Sequence, residues 1–274
     1  MKDWKKILLI VLIVIIVIVA ILWIATGSEE DETTNTVTAS DEESSEEEDE
    51  LDEAEQFKLD LSNLTSDEII ENAEAQMADP EEGETIAIFH IEDYGDITVK
   101  FFEDVAPNAV ENFITHAEEG YYDGLTFHRV IEEFMIQGGD PEGDGSGGES
   151  IWGEDFAEEL STTVLPYKGA LCMASQGTGT STLGSQFFIV QANYTDTMES
   201  YLSYYGYSNL LTSYQTYGGD LYDLAIYAQY TTFGQVIDGL DIVDEIAAVD
   251  TDDSDKPVED VIISSIEITT YTEQ

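Results

Sequence analysis

The sequence predicts a mainly β domain, a closed barrel with helices at its ends, behind a membrane-spanning segment and an acidic linker. Three observations predict this: an uncharged apolar stretch near the N-terminus, an acid-rich segment after it, and then short β-rich runs separated by glycine turns. Many short strands combined with two helix candidates favour a barrel with helices at its ends. A domain of about 190 residues is large enough to bury one core.

The segment from Ile7 to Ala25 carries no charge and consists mostly of Ile, Val and Leu. At about 1.5 Å per residue, a helix of this length just spans a hydrocarbon core of ~30 Å. Lysines precede it and acidic residues follow, so the positive-inside rule places the N-terminus in the cytoplasm and the rest outside. We therefore predict a cytoplasmic stub at residues 1–6 and a single-pass cell-membrane anchor at residues 7–26. A cleaved signal peptide is the alternative, although its apolar region would be unusually long.

Residues 27–56 contain fifteen acidic residues and no basic ones, together with many Ser and Thr. Such a segment repels itself and buries almost nothing, so we expect a disordered linker that holds the domain away from the membrane. Residues 57–82 differ, because acids follow Ser66 and apolar residues then recur at helical spacing. This pattern predicts a short helical segment that ends before Pro80 and packs on the folded domain.

The folded domain is assigned to residues 83–274, where 36 acidic and four basic residues leave 32 net negative charges. Such a surface repels nucleic acid and anionic lipid, so we expect no nucleic-acid partner. The single cysteine, Cys172, excludes an intrachain disulfide and lies in an apolar run, which indicates an inert core thiol. We expect the protein to be a monomer.

The elements of this domain follow from turn residues and apolar periodicity. Two β-rich runs flank the turn Asp93–Gly95 and predict a hairpin. Pro107, whose missing N–H costs nothing at a helix start, opens a helix that Gly120 ends. The remaining predicted bounds are Thr85–Ile91 and Asp96–Phe102 for the hairpin strands, Leu240–Ala247 for a second helix and Val261–Ile268 for a closing strand.

Arg129 is the single arginine in a chain of sixty acidic and eight basic residues. It lies in the aromatic run Tyr121–Val130 and is followed by Phe134–Pro141, which reads FMIQGGDP. A guanidinium is a rigid, permanently charged fork of donors that lysine cannot replace. A structural ion pair is the alternative role for such an arginine.

The run from Phe127 to Pro141 resembles the central motif of the cyclophilins, the cyclosporin-type peptidyl-prolyl isomerases. Further blocks agree in the same order along the chain, at Gly169–Ser175, Gly184–Ile189, Phe233–Val243 and Lys256–Val258. The resemblance covers roughly Glu84 to Thr270 and implies a closed barrel of eight antiparallel strands capped by two helices. It also implies catalysed rotation about X–Pro bonds in unfolded or extended polypeptides, without a cofactor or a metal.

The resemblance also implies roles for individual positions. Arg129 would be the catalytic donor to the prolyl amide and carbonyl, and Gln137 would hydrogen-bond the substrate backbone and orient Arg129. The implied substrate-binding residues are Phe134, Met135, Ala174, Ser175, Phe188 and Tyr230. Without the resemblance, the apolar members of this set would be read as ordinary core.

Between Asn193 and Phe233 the chain departs from the family pattern. A Tyr-, Ser- and Gly-rich insertion at about residues 194–230 holds ten of the fifteen tyrosines, and is either a self-packed surface loop or an additional recognition surface. The family's usual tryptophan is replaced, with Leu224 and Ile226 where the aromatic wall would come. Because these side chains supply no N–H donor, we expect weak cyclosporin binding.

The predicted function is therefore a peptidyl-prolyl cis–trans isomerase that assists the folding of exported proteins. The alternative is a cyclophilin-fold peptide-binding module or holdase chaperone with little turnover. The run Asp140–Gly145 mimics the start of a calcium loop, but its twelfth position is Ile151 rather than Glu, so we predict no metal site.

Overall fold

Eight antiparallel strands form the framework of the domain, in a computed structural model that describes residues 52–175, 182–220, 223–225 and 229–273. The strands are β1 (Thr85–Ile91), β2 (Gly95–Phe101), β3 (Arg129–Ile131), β4 (Met135–Gly138), β5 (Ala170–Ser175), β6 (Leu183–Val190), β7 (Thr232–Asp238) and β8 (Ile263–Thr270). They make one sheet in the order β3-β4-β6-β5-β7-β2-β1-β8. Strands β1 and β2 are the predicted hairpin, paired from Ile86 with Lys100 to Ile91 with Gly95.

The sheet is curled into a half-barrel whose inner face holds the main hydrophobic core. Aromatic rings meet there: Phe113 lies 5.4 Å from Phe187 between ring centroids, and Phe89 lies 5.7 Å from the same ring. The segment before β3 lies against the edge strand β8, since the Gly124 N–H donates to the Ile263 carbonyl at 2.8 Å. Strand β8, at one end of the sheet order, therefore contacts the segment that leads into β3, at the other end.

Six α-helices accompany the sheet in the described residues: α1 (Glu53–Asn63), α2 (Ser66–Met77), α3 (Pro107–Glu118), α4 (Asp196–Tyr204), α5 (Leu211–Tyr217) and α6 (Leu240–Ala247). Helices α3 and α6 are the two predicted for the domain. Helix α3 starts at Pro107 and buries Phe113 in the core, and the chain leaves it through Gly120, whose φ of 70° suits glycine. Helix α6 buries Val243 and Ile246 in the same core.

Helix α1 begins four residues inside the segment predicted to be a disordered linker, which corrects the end of that linker. The Asp52 carboxylate caps the helix by accepting the Glu55 N–H at 2.7 Å. Phe57 and Leu61 are buried on its inner side. Capping and apolar burial together offset the cost of ordering an acidic segment, and the composition of residues 53–56 alone does not show either.

Helix α2 is the predicted short helix, and it ends at Met77 and packs on the domain as expected. The buried Gln76 amide donates to the Leu165 carbonyl at 2.8 Å, and its oxygen accepts the Leu165 N–H at 2.9 Å. Lys100 of β2 donates to the Ala78 carbonyl at the end of the helix, where a cation complements the helix dipole.

The insertion folds together with α1 and α2. A second cluster of buried side chains joins these helices to α4, α5 and the 3₁₀ turn Ser208–Leu210, and consists of Phe57, Leu61, Ile69, Ala73, Leu165, Tyr167, Leu202, Tyr207, Leu210, Tyr214 and Ala225. At the end of α1, the Asn209 amide donates to the carbonyls of Leu61 (3.0 Å) and Leu64 (2.9 Å). The insertion therefore has a core, but the N-terminal helices supply part of it.

Within the part of the chain that the structure describes, no helix combines the length and apolar character needed to cross a bilayer. The predicted stub and anchor at residues 1–26, and the linker up to residue 51, lie outside the described residues.

Candidate active site

A row of side chains crosses five strands at the site predicted from the motif. In the sheet register Arg129 pairs with Gln137, Gln137 with Phe188, Phe188 with Cys172, and Cys172 with Thr232. Directly paired residues on antiparallel strands project from the same face. The intervening residues Val130, Ile136, Ile189 and Leu171 belong to the main core instead. The site therefore lies on the outer face of the half-barrel.

A cavity of about 590 Å³ opens on this outer face. All eight residues predicted for the site line it: Arg129, Phe134, Met135, Gln137, Ala174, Ser175, Phe188 and Tyr230. Leu224, expected at the position of the aromatic wall, lines it as well, together with residues that had no predicted role: His128, Gly143, Asp144, Gly145, Asp252, Ser254 and Lys256. Residues from six separate stretches of sequence thus meet around one space.

The polar side of the cavity is a chain of hydrogen bonds that starts at Arg129. Its Nη1 donates to Gln137 Oε1 at 3.4 Å, and Gln137 Nε2 donates to Gln186 Oε1 at 2.9 Å. Gln186 Nε2 in turn donates to the carbonyls of Gly145 (3.1 Å) and Gly147 (2.8 Å). The guanidinium is therefore held from the strand side by an amide that is itself fixed.

The alternative role for Arg129, a structural ion pair, explains little. Its Nε lies 3.8 Å from Asp255 Oδ2, and the two side chains are 42% and 47% exposed. An ion pair this long and this exposed contributes at most about 1 kcal/mol. Stability therefore does not account for an arginine at this position.

The apolar side of the cavity is built from aromatic and aliphatic side chains. Met135, Phe188 and Leu224 are buried in one cluster, against which Phe134 and Tyr230 pack. Tyr230 meets Phe188 edge-on, with ring centroids 5.1 Å apart and planes at 80°. This edge-to-face geometry is favourable and leaves a defined slot beside the arginine.

The family model for the cyclophilin type peptidyl-prolyl cis-trans isomerases matches residues 86–268, more than half of the chain. The chain belongs to the cyclophilin family. Two staphylococcal proteins named for peptidyl-prolyl cis-trans isomerase activity are similar to it. The protein of Staphylococcus saprophyticus is 48% identical over 176 residues, 64% of this chain and 87% of that protein. The protein of Staphylococcus aureus is 45% identical over 190 residues, 69% of this chain and 93% of that protein.

A crystal structure of a cyclophilin type peptidyl-prolyl cis-trans isomerase of Cryptosporidium parvum is also similar to this cyclophilin. It matches with a TM-score of 0.53 and 32% sequence identity, over 69% of this chain and 99% of that chain. Family, relatives and fold agree, and the protein is a peptidyl-prolyl cis–trans isomerase of the cyclophilin type.

The loop that resembled a calcium site instead forms one rim of the cyclophilin cavity. The buried Asp140 carboxylate accepts the N–H groups of Glu142 (2.9 Å), Asp144 (3.0 Å) and Gly145 (2.6 Å). In the described residues no group of three or more His, Cys, Asp or Glu side chains is arranged to hold a metal ion. Asp140 thus fixes the conformation of the loop whose Gly145 carbonyl accepts a hydrogen bond from Gln186 Nε2.

Burial governs the protonation of groups around the site. Cys172 is fully buried, and this raises the pKa of its thiol to about 12, so that it is an inert core thiol as predicted. Burial also raises the pKa of Tyr230 and lowers the pKa of His128, which keeps both groups neutral. Neither His128 nor Tyr230 therefore adds a charge beside the Arg129 guanidinium.

Gln186, which holds Gln137 in place, is a residue whose role was not predicted from the sequence. It lies two positions before Phe188 on β6, which places both side chains on one face of the strand. This period of two was visible in the sequence once β6 was recognised as a strand. The contribution of the loop at residues 140–147 was not visible, because it depends on backbone hydrogen bonds to Asp140.

Proposed function

We propose that Arg129 and Gln137 catalyse rotation about an X–Pro bond whose proline ring is held by Phe134, Met135 and Phe188. Rotation about this bond takes tens to hundreds of seconds without a catalyst, because amide resonance sets a barrier of ~18–20 kcal/mol. A catalyst lowers that barrier by binding the twisted amide better than either planar form.

Each side of the cavity supplies one requirement of that mechanism. The apolar slot holds the proline ring still and keeps water from it, so that the acyl part of the substrate turns relative to a fixed ring. A guanidinium beside the slot donates to the prolyl nitrogen as it becomes pyramidal, which removes its resonance with the carbonyl. Gln137 holds the guanidinium in place through its bond at 3.4 Å and is itself held by Gln186. Neither a nucleophile nor a metal takes part.

The extended peptide runs past Ala174 and Ser175 at the end of β5. The register of β5 against β6 shifts between Met173 and Ser175, so the strand leaves regular pairing beside the cavity. A substrate strand alongside such a segment gains main-chain contacts that do not depend on its sequence. A Cryptosporidium parvum relative has been crystallised in the presence of the dipeptide Ala-Pro, which supports proline-containing peptides as the ligand class.

The observation that carries this proposal is the convergence of all eight predicted residues on one cavity, with the arginine directly beside the slot. The test is a protease-coupled assay in which the full-length chain accelerates cis-to-trans conversion of a proline peptide. Binding of the peptide without acceleration would favour the second candidate, a peptide-binding module or holdase. Exposed tyrosines on and just after α4 are the observation that favours it, with Tyr204 81% and Tyr205 52% exposed.

The finer architecture and the location are part of the same proposal. Backbone bonds between residues 124–127 and 261–263 support a half-barrel that closes into a barrel, with α3 and α6 covering its ends. The apolar run at residues 7–26 supports a single-pass membrane anchor that places a monomeric domain outside the cytoplasm. There the enzyme would act on exported polypeptides as they fold.

A further inference from the structure

One wall of the cyclophilin cavity includes Leu224 and Tyr230. The Tyr230 N–H donates to the Leu224 carbonyl at 2.9 Å, which ties these two residues together. Gln229 precedes Tyr230 with a φ of 57°, a conformation that residues other than glycine rarely adopt. We call residues 223–225 and 229–230 the wall segment. A residue strained in this way keeps its conformation only when its surroundings hold it.

Two consecutive residues of the wall segment pack into different cores. Leu224 is 1% exposed and lies in the site cluster with Met135 and Phe188. Ala225 is 3% exposed and belongs to the second cluster, together with Leu61 of α1. The wall segment therefore belongs both to the site cluster and to the second cluster, which contains the N-terminal helices.

A hydrogen bond also links the wall segment directly to α1. Gln229 Nε2 donates to the Ala54 carbonyl at 2.8 Å. At the opposite end of the same helix, Asn209 of the insertion donates to the carbonyls of Leu61 and Leu64. Helix α1 is thus tied to the insertion at both ends, and one of those ties lies next to Tyr230.

Helices α1 and α2 precede residues 86–268, the part of the chain that matches the cyclophilin family. We infer that these helices are a working part of the active site: through Ala225 and Gln229 they fix the wall segment and so set how tightly the proline ring is held. Gln229 and Ala225 are positioning residues in this scheme, since they act through Tyr230 and Leu224. The inference rests on the proposed function, because the wall segment packs against the slot in which the proline ring is proposed to bind.

The scheme separates substrate affinity from the rotation step. Arg129 and Gln137 lie on β3 and β4, and they are held by Gln186 of β6 and paired with Asp255, neither of which lies in the N-terminal helices. Loosening α1 should therefore weaken substrate binding and leave the turnover number nearly constant.

Three variants of the full-length chain test this. Gln229→Asn shortens the amide by one methylene group and keeps a residue that tolerates positive φ. Leu61→Ala opens a cavity in the second cluster, where Leu61 is fully buried. Leu59→Ala is the matched control, since Leu59 lies on the same helix and is 45% exposed. For Gln229→Asn and Leu61→Ala we expect KM to rise by about three- to tenfold, which corresponds to the loss of about one neutral hydrogen bond. We expect kcat to change less than about twofold.

Two further measurements keep this inference separate from the proposed function. Hydrogen exchange at the amides of Leu224 and Tyr230 should speed up in Gln229→Asn and Leu61→Ala and stay as in the wild type in Leu59→Ala. Calorimetry with a proline peptide gives the peptide affinity whether or not the wild-type chain shows turnover. Absence of turnover in the wild-type chain would count against the proposed function and not against this inference. Unchanged exchange in Gln229→Asn, or faster exchange with unchanged peptide affinity and KM, would overturn the inference.

Discussion

Replacing Arg129 with alanine should remove most of the isomerase activity and leave the fold intact. The contacts of Arg129 in the structure allow its effect on stability to be estimated separately from its effect on catalysis. The native contacts of the guanidinium are a hydrogen bond of 3.4 Å to Gln137 and an ion pair of 3.8 Å to a half-exposed Asp255. Losing them costs the folded state about 1 kcal/mol, which lowers the unfolding temperature by only a few degrees.

The catalytic loss is larger, because the guanidinium is proposed to donate to the amide only as it twists. Removing one donor of this kind costs about 2–4 kcal/mol of transition-state stabilisation, or roughly a thirty- to thousand-fold reduction in rate. The loss should appear equally in kcat and kcat/KM, since the interaction is made in the transition state and not in the bound ground state. Arg129→Lys should recover little, because an ammonium is a point charge on a flexible stem.

The assay is cis-to-trans conversion of a proline peptide, measured beside thermal unfolding of each protein. Lys168→Ala is the control for loss of a cation, since Lys168 pairs with Asp244 at 2.7 Å and does not line the cavity. Wild-type kinetics in a folded Arg129→Ala protein would refute the role proposed for this residue. A large drop in unfolding temperature would show instead that the arginine is structural.

Three other predictions concern the anchor, the cavity rim and pH. The full-length protein should stay with membranes after a high-salt wash and leave them with detergent; a soluble chain beginning near Gly27 would show a cleaved signal peptide instead. Cyclosporin should bind weakly in calorimetry, since Leu224 offers no N–H donor at the rim, and nanomolar binding would mean that the insertion supplies one. Burial raises the pKa of Asp220 to about 6, above about 3.9 in an unfolded chain. The folded state therefore loses stability as the pH rises from about 4 to 7, and Asp220→Asn should remove that loss. Unfolding temperatures of both proteins at pH 4.5 and 7.5 check this, and the same pH dependence in each would contradict it.

The candidate site residues could be named from the sequence because they lie in short motifs that resemble a known family. Arg129, Gln137 and Phe188 belong to a row of paired residues, so their convergence follows from strand pairing alone. The hairpin and the helix from Pro107 also follow from local turn chemistry and apolar spacing.

Parts of the protein that depend on distant partners were not predictable in this way. The start of α1 looked like linker, because its buried partners Leu202 and Tyr214 lie in the insertion, about 150 residues further on. No local pattern indicated that the N-terminal helices supply part of the core of the insertion. No local pattern marks Gln229 as the residue that reaches Ala54.

The scarcity of cations in this domain also has a consequence for digestion by proteases. Trypsin-type proteases cleave after lysine or arginine, and residues 83–274 offer them four such positions. Lys100 is buried in β2, Arg129 lies in β3, Lys168 is held in an ion pair, and Lys256 precedes a proline, which blocks cleavage. Cleavage of a folded protein requires local opening, so the folded domain should resist these proteases while remaining open to those that cut after aromatic residues. An assay of its activity is therefore best coupled to trypsin, which cleaves the peptide product, with the enzyme checked for cleavage at Lys58 of α1.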